Sequence, residues 1–155
     1  MIRSVTVSTI PHNKQRYATT GDWIYNKAGG LLTVYVSDMG DWRFNLLVGI
    51  HELVEAVLCV RDGVEQKEID AFDQVYEELR ARKLDGDSGQ HPWAELQPLF
   101  DRITADSEPG DDPEAPYHRQ HCIATAVERM LCPFLGVSWY EYEAANLALY
   151  AHEER

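Results

Sequence analysis

The chain has 155 residues, 45% of them apolar and 26% charged. That balance fits a single globular domain spanning residues 1–155 and excludes global disorder. Its 26 acidic residues against 14 basic ones leave a formal charge of −12, which repels a phosphate backbone and disfavours broad nucleic-acid binding.

No run of 18 apolar residues is present, so a membrane span is not expected. Met1 to Thr9 alternates instead of forming an apolar signal core, and the three cysteines, Cys59, Cys122 and Cys132, form no CxxC pair. The expectation is a cytoplasmic protein without a zinc ribbon.

From Ser4 to Ile10 apolar and polar residues alternate, which predicts a strand with one wet face. Tyr17 to Tyr25 holds a second, shorter strand. After Gly29-Gly30, Leu31 to Ser37 is β-branched and aromatic, as a pleated surface prefers. Asp41 then caps a helix from Trp42 to about Arg61, stopped at Asp62-Gly63. A second helix is predicted from about Val64 to Lys83, with Ile69, Phe72, Val75, Tyr76 and Leu79 on one face.

Asp85 to Pro92 reads as a polar loop and Trp93 to Ile103 as a short helix. The acidic, proline-rich stretch from Ala105 to Pro116 is predicted to be irregular. A third major helix follows from Tyr117 to Cys132, ended by Pro133. The last helix opens on the capping box Ser138 to Glu141. The fold class is therefore α+β: a small N-terminal antiparallel sheet of two or three strands within residues 1–40, packed on four to five helices within residues 41–155.

Leu46 to Val60 is apolar except for His51, Glu52 and Glu55. A helix apolar almost all round is normally buried, and unpaired charge there costs several kcal/mol. At about 100° per residue the three polar groups share roughly a 100° wedge, beside a core face of Leu47, Ile50, Leu53, Val54, Val57 and Leu58. On the third helix, His118, His121, Thr125, Glu128 and Cys132 project within roughly an 80° sector. Ile123, Val127, Met130 and Leu131 form the opposite, core-building side. The two polar stripes either face solvent separately or converge.

Converged, they place His51, Glu55 and His121 as two imidazoles and a carboxylate, with His118 as a fourth ligand or a supporting group. Such a set takes a divalent metal: zinc first, with iron, manganese or magnesium as alternatives. Glu128 and Thr125 stand behind the ligands, Glu128 orienting one of them or binding a second ion. Glu52, off the ligand stripe, is the candidate base for a metal-assisted hydrolysis. The acidic stretch before His118 is placed to close over the cleft, and Asp111-Asp112 is a weak calcium pattern. His91 and His152 read as solvated. Phosphate-loop and GxSxG motifs are absent.

A strand at Leu31 to Ser37, a turn, and a helix carrying His51-Glu52-Leu53-Val54-Glu55 together resemble the zincin metallopeptidase core. There a strand precedes an HExxH helix. The resemblance covers about thirty residues and implies zinc, with His51 as first ligand and Glu52 as base; Glu55 stands at the second histidine's position. The wider chain is also similar to uncharacterised phage or prophage proteins. That similarity implies a second reading, a non-enzymatic accessory protein with a structural polar or metal site and a protein partner or a second copy of itself.

Glu52 and Glu55 further resemble the last two acids of the EExxE motif of the all-α nucleoside triphosphate pyrophosphohydrolases. Asp70 and Asp73 then stand for that family's ExxD, which implies magnesium and a nucleotide substrate. His51 replaces the first acid of the motif.

Overall fold

The computed structural model describes residues 1–86, 94–104 and 107–151. Most of the expected loop before Pro92, Trp93 at the start of the short helix, Ala105, His91 and His152 lie outside the described residues. Strands β1 (Ser4–Ile10), β2 (Gly21–Asn26) and β3 (Leu31–Ser37) form one sheet in the order β1-β3-β2. Strand β3 therefore lies between the other two, and Leu32, Val34 and Val36 on its inner face are almost wholly excluded from solvent.

The sheet corrects the expected antiparallel arrangement in one pair. β2 and β3 are antiparallel, joined by a tight turn in which Gly30 has φ 68° and donates to the Asn26 carbonyl. β1 and β3 run parallel, with Ser4 opposite Leu31 and Ile10 opposite Ser37. The chain leaves β1 to build the far edge first, and β3 then returns between the two strands in the direction of β1. As an edge strand β1 has no fully covered face: Val5 and Val7 are 43% and 51% exposed.

Among the described residues the helical body comprises α1 (Trp42–Asp62), α2 (Gln66–Leu84), α3 (Gln97–Arg102), α4 (His118–Leu131) and α5 (Trp139–Ala151). The α1 boundaries follow from its caps. The Asp41 carboxylate accepts from the Arg43 amide at 2.9 Å, and Gly63 closes the helix at φ 77°. Gly49 allows α1 to lie close on the sheet, since a β-carbon there would meet Val7 Cγ1 at 3.3 Å and Val36 Cγ2 at 3.5 Å. Helices α2 and α3 enclose a smaller core of Tyr76, Leu79, Leu99, Phe100 and Ile103. None of the described helices is long and apolar enough to cross a membrane.

Two further expectations are corrected. The stretch before α4 is not wholly irregular: Pro109–Asp111 forms a single 3-10 turn, with Gly110 buried. More consequentially, α4 packs on α1 with the side opposite to the one expected to build the core. Their polar stripes meet at the shared interface, where His51, Glu55, His121 and Glu128 are buried. The apolar side expected of α4 points outward instead, leaving Ile123 and Met130 exposed, whereas on α1 Leu47 is buried and Leu53 packs on the core as expected, with Val57 alone of that face exposed. Periodicity gives the angular width of each face but not which one turns inward.

Candidate metal centre

Helix α1 supplies His51 and Glu55 one turn apart, and α4 supplies His121 opposite them. His51 Nε2 lies 3.2 Å from His121 Nδ1, His121 Nδ1 lies 3.1 Å from Glu55 Oε2, and the third side, His51 Nε2 to Glu55 Oε2, is 3.6 Å. Three potential donor atoms thus form a nearly regular triangle. Zinc bonds of about 2.1 Å at tetrahedral angles would set ligand atoms about 3.4 Å apart. The group can hold a metal ion.

The outer atoms of each ligand are held as well. His51 Nδ1 is 3.2 Å from Glu128 Oε2, and His121 Nε2 faces Asp111 Oδ1 at 3.5 Å and Glu108 Oε2 at 3.7 Å. An ionised carboxylate only accepts hydrogen bonds, so His51 Nδ1 carries the proton toward Glu128. A neutral His51 ring then keeps its lone pair on Nε2, toward the triangle, a pattern typical of metal-ligating histidines. Trp23 on β2 donates from Nε1 to Glu55 Oε1 at 3.0 Å, which leaves Oε2 toward the triangle. From α5, the Tyr142 hydroxyl donates to Glu128 Oε1, fixing the carboxylate that orients His51.

Without a cation, protons take its place. Burial opposes charge on His51, but Glu128 and Glu55 outweigh it and hold the imidazole protonated well above the ordinary range. Burial likewise opposes charge on His121, yet Asp111 and Glu55 raise it to about 10. Burial would raise Glu55, but hydrogen bonds from His121 and His51 pull its carboxyl down to about 2. A metal entering here must displace protons from both rings.

Glu52 lines the same cavity, and burial followed by the charge of Glu55 raises its carboxyl well above the usual range. Its side chain lies flat against Gly21, where a β-carbon would stand 2.5 Å from Glu52 Oε1. Gly110 approaches His121 as closely, its hypothetical β-carbon 2.4 Å from His121 Cγ and Nδ1. The acidic turn therefore covers His121 directly.

His118 is the expected ligand that the structure places elsewhere. As the first residue of α4, it bonds through Nδ1 to the Gly110 carbonyl at 2.9 Å, with its ring beside Cys122 Sγ. Three residues before His121 it is rotated about 60° from that side chain, and it anchors the turn instead of joining the triangle. Thr125 lines the cavity, as expected, alongside Glu128. Asp111 and Asp112 do not share an ion: Asp111 faces His121, while Asp112 receives Arg102 at 2.8 and 3.0 Å. Asp73 lines the cavity with Glu52 and Glu55, whereas Asp70 pairs with Arg16 at 3.2 Å.

Trp23, Tyr142, Glu108 and Asp111 were not anticipated at the centre, and Asp73 was named in sequence only with Asp70, beside Glu52 and Glu55, as a magnesium acid. Tyr142 reads in sequence as ordinary core or partner surface; Glu108 and Asp111 carry the only advance signal, an acidic stretch leading into α4.

Fold and centre together define an α+β protein with a buried His-Glu-His cluster between two helices that could hold a metal ion. Comparison of the chain with protein-family models, with curated proteins and with solved structures found no match.

Proposed function

We propose that the protein binds a divalent cation, zinc first, through His51, Glu55 and His121, and uses it in hydrolysis. The observation that carries this reading is the triangle of donor atoms, with sides of 3.1, 3.2 and 3.6 Å, whose outer atoms are each tied to a carboxylate or an indole. When bound, the metal would polarise the electrophile and acidify a water. Glu52 takes the proton from that water and returns it to the leaving group as the bond breaks. Burial followed by the charge of Glu55 raises its carboxyl above the usual range, which makes the carboxylate a stronger base.

The test combines metal content with hydrolysis across peptide, amide and phosphoester panels. Wild type should hold one zinc per chain, and His51→Ala should lose it. Glu52→Gln should keep the metal while losing at least about 100-fold in rate. If Glu52→Gln retains both metal and full activity, Glu52 is not the base. Stoichiometric metal without hydrolysis of any panel member would leave the non-enzymatic reading, a metal staple in an accessory protein. Asp73, sharing the cavity with Glu52 and Glu55, favours one rival, the nucleotide pyrophosphohydrolase. Magnesium-dependent release of pyrophosphate from nucleotides would select it instead.

A further inference from the structure

The ligand triangle occupies one part of a cavity of about 530 Å³. Its described wall carries nine carboxylate side chains against two guanidiniums and the two imidazoles of the triangle. Both guanidiniums are engaged: Arg80 bonds Glu77 at 2.7 Å and the Ser107 carbonyl at 3.2 Å, and Arg129 lies over the Trp139 ring. A cleft lined so predominantly by one sign focuses its field on whatever enters. A divalent metal at the triangle offsets only part of this charge, so an anionic group in the remaining space meets net repulsion.

Within that space Asp73 is distinctive. It is 4% exposed, and its two oxygens accept from Tyr117 at 2.7 Å and from Tyr17 at 3.2 Å. Both partners are neutral, and among the described residues no basic side chain pairs with it. Burial of this uncompensated carboxylate raises its pKa to about 7, an energetic cost that a bound cation would relieve. Asp73 is not grouped with other possible metal ligands among the described residues, which favours an organic cation over a metal ion as its partner. Tyr17, Trp23 and Tyr117 add aromatic rings to the same wall, which suit an ammonium or guanidinium.

The Tyr117 ring also lies edge-on to His121, with centroids 6.2 Å apart. One tyrosine therefore separates the Asp73 carboxylate from the ligand triangle.

We infer that the cavity takes a substrate bearing a protonated amine or guanidinium, seated against Asp73 between Tyr17 and Tyr117. Its susceptible bond reaches toward His51, Glu55 and His121, and only that last placement rests on the hydrolase reading. Asp73 is here a binding residue that selects the substrate's charge.

The test uses the full chain and four small probes of matched length: butylamine, butylguanidine, butanol and butyrate. Binding is followed by calorimetry on metal-free and zinc-loaded protein, with zinc uptake measured on the same samples. The two cations should bind at least tenfold more tightly than butanol or butyrate. Asp73→Asn should weaken the cations at least tenfold and leave butanol unchanged. The preference for the two cations over butanol and butyrate is read on wild type, so it remains a check if Asp73→Asn does not fold.

Butyrate binding as tightly as butylamine, or cation binding indifferent to Asp73→Asn, overturns the inference while zinc uptake can stand. Asp73-dependent cation binding in a protein that takes up no zinc upholds it and removes the metal reading alone.

Discussion

Gly110 and Glu128 show how single side chains, or their absence, set the centre. A β-carbon at Gly110 would penetrate the His121 ring, so Gly110→Ala must displace either the acidic turn or the ligand. Overpacking of this kind costs about 1–3 kcal/mol, and zinc affinity should fall with stability. A melting curve and a chelator-competition titration check both; unchanged zinc affinity would show that the turn yields without disturbing His121. Tyr142→Phe removes the hydroxyl that holds Glu128 and leaves a buried carboxylate oxygen short of a donor. Losing such an outer partner should weaken zinc binding by about 10–100-fold, with Glu128→Gln behaving alike in the same titration. Neither effect is visible locally in sequence, because Tyr142 lies 91 positions from His51.

At the scale of elements, much of the chain was legible. β1 and β3 span the ranges their alternation and β-branching predict, and α1 begins after Asp41 and ends at Gly63. These are local signals, each complete within a few residues: a carboxylate accepting a free amide, a glycine entering the left-handed region. Asp41→Ala should accordingly destabilise the fold by about 1 kcal/mol, read as a shift of the denaturant midpoint at constant slope, with zinc affinity untouched. The parallel β1–β3 pair was not legible, because insertion of a later strand between earlier ones is decided by packing against α1. The inward face of α4, though not that of α1, was misread for the same reason. Their polar stripes were recognised as stripes, but Val57 and Met130 looked like core until the helix partners were known.

Across the whole molecule, titration has a single prevailing sign near neutrality. Burial raises Asp73 from 3.8 and Glu77 from 4.5, each to about 7. Against burial, Asp111 and Glu55 raise His121 from 6.5 to about 10. In each case the folded state holds its proton more tightly than the unfolded chain does. Their contribution is complete below the unfolded value and is lost as pH rises through the folded one. Metal-free protein should therefore lose stability from about pH 4 to 7 through the acids, and from about 6.5 to 10 through His121, by up to roughly 1.4 kcal/mol per pH unit per proton.

Glu55, held down at about 2, acts oppositely: its contribution is present above 4.5 and lost as pH falls toward 2. Thermal melts should give a higher midpoint at pH 5 than at pH 9. Saturating zinc should flatten that slope, because it displaces the protons on His51 and His121. A metal-free midpoint that rises toward pH 9 would contradict this assignment of protonation.

The sequence by itself determined the fold class, the extents of β1, β3 and α1, and the presence of two histidine- and glutamate-bearing stripes. All of these are encoded in spacing and capping within one element. Only the tertiary structure decided that the stripes face each other, that His118 ties down the acidic turn while Glu128 orients His51, and that Asp73 lies buried beside the same cavity. Those outcomes depend on the relative rotation and approach of separate elements, which the packing of side chains far apart along the chain fixes.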